Sequence, residues 1–328
     1  MSLTDNRDVA LSIVIVNFRT PAFVMECLAS LLPELNGMDA RVVIVDNHSQ
    51  DDSCEVIQRW MSEYDREKQV LLIQSTTNSG FSGGNNQGIK AQKANAYLLL
   101  NSDTLIRHGA IRILVETLHE YPSAGIFSPR LEWLDGTGQE SCFRYHTPIS
   151  ELSHAAKAGV LDFLLSNFIV PFPVQSKVHY PEWTSFACVL IKDKVFQQIG
   201  LLDDGYFMYF EDVEFCRRAR KAGWRIVHNP AARVVHLRGG SSPVKENMLQ
   251  KKRLPLYYYE SRTRFFYQAY GWTGLLAANL LWWIGRSLSK TRQLLGRLDK
   301  ASIKRQWLDI WRNCTDPLRP YTHPDSDR

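Results

Sequence analysis

The chain has 328 residues, of which 45% are hydrophobic and 22% are charged, and its formal net charge is +5. This length fits one large domain or two modest ones, and the composition is that of a folded globular protein, which excludes a disordered chain. The six cysteines are scattered without a C-x-x-C pair, which argues against a disulfide framework or a zinc cluster. Asp5, Arg7 and Asp8 stand where a signal peptide has its apolar core, so we expect a cytoplasmic protein.

Four continuously apolar runs in the first third of the chain predict parallel strands that are buried on both faces. They cover residues 12–18, 42–47, 70–75 and 97–103, with a helix-sized segment after each of the first three. This alternation predicts a Rossmann-like, mostly parallel α/β sheet flanked by helices. Ligands of such sheets bind beyond the carboxyl ends of the strands. The polar residues expected at that edge are Asn17, Asp46, Asn47, Asn78, Asn101 and Asp103.

Residues 78–88, NSGFSGGNNQG, stand between the third strand and a predicted helix. Four glycines in a loop allow the backbone to approach a phosphate or a sugar closely. We therefore predict donor contacts by Asn78, Gly80 and Asn85; an ordinary flexible loop is the alternative. The spacing matches neither G-x-G-x-x-G nor a P-loop, which argues against a dinucleotide-dependent dehydrogenase and a P-loop enzyme.

Asn101 stands two residues before Asp103 in LLLNSDT, so the two side chains point the same way from a strand. Carboxylate oxygens of this kind suit Mg²⁺ or Mn²⁺ bridged to a substrate diphosphate. His236 ends a short apolar strand and would complete a Mn²⁺-tolerant site near Asp103. Each feature also has a structural explanation, because N-S-D occurs in plain turns and a lone histidine is more often structural than a ligand.

Residues 211–223, EDVEFCRRARKAG, predict a helix that ends at Gly223. Its first turn holds Glu211, Asp212 and Glu214, which the helix dipole favours for structural reasons alone. The preceding aromatic residues would partly desolvate one of these carboxylates and make it a better base, and we assign that role to Asp212.

Elsewhere the pattern is looser. Strand-like runs at 125–133 and 187–193 surround a helical stretch at 150–170, and two further strands are predicted after Gly223, at 224–230 and 232–237.

The C-terminal part is aromatic and then basic. Residues 265–285 have the length of a bilayer span, ~20 residues, but Gln268 and Asn279 interrupt the run and its Trp and Tyr residues prefer the interface. We predict an interfacial segment; the alternative is a helix packed on the catalytic domain or on a second subunit. Nucleic-acid binding by the tail is disfavoured. The cations expected to face anionic lipid are Lys290, Arg292, Arg297, Lys300, Lys304 and Arg305.

Together these segments resemble the family-2 glycosyltransferases of the GT-A fold, and within them the bacterial rhamnosyltransferase-like branch. The matching stretches, in the family's order, are IVIVNF, VDNHSQDDS, NSGFSGGNNQGI, LLLNSD, IGLLDDGYFMYFEDVEFCRRARKAGWRIVHNP and VVHLRGG. The resemblance implies that Asp46 contacts the donor nucleoside, that Asp103 represents the metal-binding D-x-D element, and that His236 binds the metal. It also implies that Asp212 is the general base. Asn101 replaces the leading acid of D-x-D and is assigned to the donor.

The resemblance implies an inverting enzyme that moves one sugar, since the Q-x-x-R-W signature of processive members is missing. We predict L-rhamnose from dTDP-rhamnose as the donor; other UDP- or dTDP-sugars, or a non-catalytic nucleotide-sugar-binding protein, are the alternatives. The acceptor would be a polysaccharide or a polyprenyl-diphosphate-linked glycan at the inner face of the cell membrane. The predicted donor side is Asn17, Asp46, Asn78, Gly80, Asn85, Asn101 and Ser102, and the acceptor side is Thr184 and Glu211.

The expected domains are a GT-A catalytic domain at 1–250 and a helical extension at 251–328 that associates with the membrane. Within the catalytic domain, the nucleotide-sugar half would cover about 11–105 and the acceptor half about 106–250. A homodimer is also considered.

Overall fold

A computed structural model describes residues 8–65, 67–237, 244–295 and 303–324. The chain forms two compact units. The first comprises Met1–Cys142, Pro173–Asp204 and Phe215–Ser241, and the second comprises Phe143–Phe172, Gly205–Glu214 and Ser242–Arg328. The predicted boundary near residue 250 and the predicted halves of the catalytic domain stay predictions.

The first unit is built on an eight-stranded sheet with the order β3-β2-β1-β4-β9-β6-β10-β5. β1 pairs in parallel with β2 and β4, β2 with β3, and β6 with β10, whereas β9 and β5 run antiparallel to their neighbours. The mostly parallel sheet is therefore confirmed. The strands are β1 (Val9–Asn17), β2 (Ala40–Asp46), β3 (Val70–Gln74), β4 (Ala94–Asn101), β5 (Thr104–Ile106), β6 (Ala124–Glu132), β7 (Cys142–Phe143), β8 (Trp183–Thr184), β9 (Cys188–Lys192) and β10 (Arg225–His236).

Helices cover both faces of the sheet, so neither face is exposed to solvent. Its strands can therefore consist of continuous apolar runs. Val14, Ile44 and Leu99 of β1, β2 and β4 are completely buried, as the sequence of a two-sided parallel sheet requires. The α-helices in the described part of the chain are α1 (Pro21–Leu31), α2 (Ser53–Tyr64), α3 (Gly80–Ala91), α4 (Ala110–Glu120), α5 (Pro148–Ala156), α6 (Gly159–Leu164), α7 (Asp193–Ile199), α8 (Glu211–Lys221), α9 (Val244–Leu249), α10 (Leu256–Leu294) and α11 (Gln306–Asp309).

One strand replaces the two that the sequence predicts after Gly223. The single β10 pairs with β6 on both sides of Pro230, from Arg225 to Asn229 and from Arg233 to Val235, and the register shifts between the two stretches. Pro230 has no N–H to donate to a ladder, so the irregularity accommodates it without ending the strand. The prediction of two strands was wrong for this reason. Gly223 does follow the end of α8 with a φ of 95°, as predicted.

The second unit is held together by the packing of α10 against α5. Gly285 of α10 lies so close to α5 that an added Cβ would be 2.4 Å from the carbonyl oxygen of Leu152. A buried ion pair joins the same helices, with the guanidinium of Arg262 donating to Glu151 Oε2 at 2.8 and 3.1 Å. α10 is interrupted at Gly271, where φ is 67°. None of the described helices combines the length and apolarity needed to span a bilayer.

Candidate active site

Two predicted metal ligands meet at one edge of the first unit. The antiparallel pairing of β5 and β10 sets His236 opposite Thr104, and the Leu237 N–H donates to the carbonyl oxygen of Asp103 at 2.9 Å. These contacts bring His236 Nε2 to 3.4 Å from Asp103 Oδ1, with side chains only 12% and 3% exposed. Strand pairing therefore creates a shielded carboxylate and imidazole pair directly after β4.

This pair fits a divalent cation that shares its shell with a substrate. A carboxylate oxygen and an imidazole nitrogen suit Mn²⁺, and the oxygen alone suits Mg²⁺. In the described part of the chain no three His, Cys, Asp or Glu side chains cluster into a metal site. The protein would then supply two ligands, and phosphate and water would supply the rest, as is usual for ions that bind diphosphates. Among the described residues, no set of side chains would hold a metal ion without further ligands from a substrate or water.

Asn101 and Ser102 lead from β4 into the turn that contains Asp103. Asn101 ends β4 and donates its N–H to the carbonyl oxygen of Ala187 at 2.9 Å. The Thr104 hydroxyl donates to the carbonyl oxygen of Asn101 at 2.7 Å, which closes the turn. Ser102 and Asp103 are both buried. The backbone around the predicted metal ligand is therefore fixed on both sides.

Asp46 is held by its own surroundings at the end of β2. Its Oδ1 accepts hydrogen bonds from Asn17 Nδ2 at 2.7 Å and from the Ser49 hydroxyl at 2.5 Å. Its Oδ2 accepts from the Ser49 N–H at 3.1 Å. Two predicted donor-side residues, Asn17 and Asp46, are thus brought together. Their observed role is to join the ends of β1 and β2, and contact with a nucleoside stays a prediction.

Asn47 is a residue of this edge that the sequence analysis did not assign to the site. Its Nδ2 donates to Asn78 Oδ1 at 3.0 Å and to the Gly80 carbonyl oxygen at 2.9 Å, while its Oδ1 accepts from the Ser79 N–H at 3.1 Å. One amide thereby ties the end of β2 to the start of α3. Its position beside Asp46 at the end of a strand could have indicated this role, because an amide side chain both donates and accepts hydrogen bonds.

The glycine-rich segment is helix rather than loop, so the loop prediction was wrong. α3 already begins at Gly80. A Cβ at Gly84 would be 2.9 Å from Val16 Cγ1, and one at Gly88 would be 2.3 Å from Val14 Cγ1. These two glycines therefore allow α3 to pack closely on β1. The amide of Asn85 is buried and donates to the Phe81 carbonyl oxygen at 2.9 Å, and donor binding by Gly80 and Asn85 stays a prediction.

Thr184 lies away from solvent on β8. Its side chain is fully buried, and its hydroxyl donates to the carbonyl oxygen of Ser141 at 3.0 Å. These contacts explain Thr184 as part of the local packing. Because the side chain is buried, its exposure does not support the predicted place of Thr184 on the acceptor side.

A strained turn in the second unit leads into the predicted catalytic helix. Tyr209 and Phe210 have φ values of 71° and 68°, in a region that costs a non-glycine residue about 1–3 kcal/mol. The Phe210 ring packs against the rings of Tyr258 and Phe265, with centroids 5.9 and 5.6 Å away. This aromatic packing holds the backbone in its strained conformation immediately before Glu211.

Of the two acids that open α8, Glu211 is the buried one. Burial and the neighbouring Asp212 carboxylate raise the pKa of Glu211 well above its usual range. Its Oε2 has no hydrogen-bond partner among the described residues. Asp212 is partly exposed, and its Oδ1 accepts from the Val213 N–H at 2.8 Å. The desolvation predicted for the base thus falls mainly on Glu211, while Asp212 is the more accessible carboxylate.

The sequence of the chain matches a known protein family. Residues 8–253 match a family described as "Glycosyltransferase like family 2". The chain is 31% identical over 230 residues to "Low-salt glycan biosynthesis hexosyltransferase Agl10" of Haloferax volcanii, covering 69% of this chain and 66% of that protein. It is 30% identical over 149 residues to "N-acetylglucosaminyl-diphospho-decaprenol L-rhamnosyltransferase" of Mycobacterium tuberculosis, covering 44% and 48%. The chain therefore matches between about half and two thirds of the length of these relatives.

A solved structure shares the fold at much lower identity. "Mannosyltransferase PcManGT from Pyrobaculum calidifontis in complex with GDP-Man and Mn2+" superposes with a TM-score of 0.57 at 12% identity. The match covers 89% of this chain and 77% of that protein. The predicted GT-A fold is confirmed by this likeness together with the sheet.

Proposed function

Because the chain belongs to glycosyltransferase family 2, we propose that it transfers one sugar from a nucleoside diphosphate donor to an acceptor hydroxyl, with inversion at the anomeric carbon. The observation that carries the proposal is the pair formed by His236 Nε2 and Asp103 Oδ1, 3.4 Å apart. Shielding from solvent strengthens their interaction with a cation and with the phosphates bound to it.

The proposed division of labour follows from the chemistry of each side chain. Asp103 and His236 would hold a divalent cation, Mn²⁺ or Mg²⁺. A cation held there would supply positive charge to neutralise the nucleoside diphosphate as it leaves. Asp212 takes the proton of the acceptor hydroxyl, since it is the more accessible of the two acids that open α8. Glu211, which keeps its proton more readily, donates a hydrogen bond on the acceptor side.

The donor side lies along the ends of the parallel strands. We assign the nucleoside to the region of Asn17 and Asp46. The diphosphate is assigned to Asn101 and Ser102, beside the two proposed metal ligands. Asn78, Gly80 and Asn85 complete the predicted contacts at the start of α3. This arrangement agrees with the rule that ligands of open α/β sheets bind beyond the carboxyl ends of the strands.

The finer identity of the substrates is also a proposal. We propose L-rhamnose from dTDP-rhamnose as the donor and a lipid-linked glycan as the acceptor, at the cytoplasmic face of a membrane. The support is the relative named as an N-acetylglucosaminyl-diphospho-decaprenol L-rhamnosyltransferase, at 30% identity over 149 residues. The hexosyltransferase Agl10 supports the broader class of sugar.

The experiment is to incubate the full chain with Mn²⁺ and a panel of UDP-, dTDP- and GDP-sugars and to measure released nucleotide, with EDTA as the control. We expect release from one dTDP- or UDP-sugar, and loss of that release in EDTA. Donor binding without release from any sugar, also in the presence of a lipid-linked acceptor, would establish a non-catalytic nucleotide-sugar-binding protein instead.

A further inference from the structure

The outer face of α10 is apolar where a surface helix is usually polar. The residues on it are Trp272, Leu276, Leu280, Trp283, Ile284 and Leu288, which we call the outer stripe, and each is between 37% and 52% exposed. At 3.6 residues per turn, these six side chains fall within an arc of about 160°. The opposite face, which includes Ala278, Trp282 and Gly285, is buried. The stripe is therefore a second apolar face beyond the one that packs within the unit.

The structure extends this surface with aromatic and basic side chains. Trp307 of α11 lies edge to face with Trp283, with ring centroids 5.6 Å apart. Lys290 Nζ lies 6.0 Å from the Trp307 ring, and Lys290, Lys304 and Arg305 are exposed. Exposed tryptophans beside cations on an apolar helical face are typical of segments that lie in a membrane interface.

Charge decides between a lipid surface and a second copy of the chain. The exposed charges beside the stripe are the cations Lys290, Lys304 and Arg305. α10 has no Asp or Glu after Glu260, and Asp309 of α11 is buried in an ion pair with Arg253. A second copy on the stripe would bring like charges together, whereas anionic head groups neutralise them. The described helices include none that would cross the bilayer.

Arg297 and Lys300, predicted to face lipid as well, lie outside the described residues. Arg292 was also predicted to face lipid, but its Nη1 donates instead to the carbonyl oxygens of Ala156 and Lys157 at 3.3 and 3.0 Å.

We infer that the outer stripe docks on the surface of a bilayer that contains anionic phospholipid, with Lys290, Lys304 and Arg305 on the head groups. The apolar side chains enter the boundary between head groups and acyl chains. This inference rests on the second unit alone and holds whichever sugar the protein moves.

The test is co-sedimentation of the full chain with phosphatidylcholine vesicles that contain or lack phosphatidylglycerol. We expect binding to the anionic vesicles, and a loss of at least about tenfold in Leu280→Gln/Ile284→Gln. The matched control is Tyr64→Gln/Leu134→Gln, which also removes two exposed apolar side chains but from the first unit, and it should bind like the wild type.

A second variant checks the electrostatic part. Lys290→Gln/Lys304→Gln should weaken binding to anionic vesicles by roughly fivefold per cation and leave the weaker binding to neutral vesicles unchanged. Equal binding by the stripe variant and the wild type would overturn the inference. So would a wild-type dimer that ignores vesicles and that the stripe variant converts to a monomer. Nucleotide release without vesicles is measured in parallel, so that failure of docking is distinguishable from failure of the proposed transfer reaction.

Discussion

His236 and Asp103 are far apart in the sequence and meet because β5 and β10 pair across the edge of the sheet. Each residue has a structural explanation when considered alone. Their proximity, in a shielded position directly after β4, is what supports the proposal that both side chains bind one cation. Because the chain would supply only two ligands, the affinity for the cation would depend strongly on each of them.

Removal of the imidazole should therefore weaken the binding of the metal, and the Mn²⁺ dependence of the reaction measures this. We expect His236→Ala to raise the Mn²⁺ concentration for half-maximal nucleotide release by at least about tenfold. His119→Ala, at an exposed position at the end of α4, is the control and should show the wild-type dependence. An unchanged Mn²⁺ dependence in His236→Ala would remove His236 from the metal site.

Glu211 predicts a pH dependence of stability. Its pKa is raised from an ordinary value of 4.5 by burial and by Asp212. As pH rises above that value, the unfolded chain loses the proton while the folded chain retains it, so folding becomes less favourable. Glu211→Gln, which mimics the protonated acid, should melt at a higher temperature than the wild type at pH 8, by about 1–2 °C for each kcal/mol recovered.

The difference in melting temperature should shrink as pH falls toward the ordinary carboxyl range. Thermal melts of both proteins between pH 4 and pH 8, at constant ionic strength, measure it. A difference of the same size at every pH would show that the effect of the substitution does not come from the protonation of Glu211.

At the scale of elements, α3 shows how packing overrides local propensity. Glycine is a poor helix former, and a segment with four glycines is predicted as a loop. Yet Gly84 and Gly88 occupy a helix because their missing side chains let it lie against Val16 and Val14. The function of these glycines is therefore first a structural one.

Gly88→Ala should destabilise the protein although alanine favours helices. The new Cβ would be 2.3 Å from Val14 Cγ1, and overpacking of this kind costs about 1–3 kcal/mol. Urea denaturation measures the change, and Val14→Ala in the same chain should recover part of it. Gly159→Ala, which has open space around the new Cβ, is the control. Equal midpoints for Gly88→Ala and the wild type would contradict the packing role.

The sequence predicted the elements whose signal is local and missed those set by distant contacts. β1 to β4 form close to the expected positions because a two-sided sheet needs continuous apolar runs. The single β10 was missed, since the two apolar runs at 224–230 and 232–237 predict separate strands, whereas β10 continues past Pro230 with a shift in its register against β6. The role of Asn47 was also missed, because only the fold brings Asn78 and Gly80 to its amide.

At the scale of the whole molecule, apolar and charged residues are unevenly distributed. The net charge of +5 comes from the C-terminal region, where residues 286–319 hold nine Lys and Arg and three Asp. The first unit carries the sheet with Asp103 and His236, and the second carries the two acids of α8 and the outer stripe. A transferase that acts on a lipid-linked acceptor has a use for a surface that binds a membrane.

The most direct test of the central claim compares Asp212→Asn with the wild type, using Mn²⁺, the donor found in the panel and its acceptor. Asparagine keeps the size of the side chain but is not a base, so turnover should fall by about 10²- to 10⁴-fold while the Kd for the donor changes little. Asp52→Asn, at an exposed position before α2, should behave like the wild type. Near-normal turnover in Asp212→Asn would contradict the account.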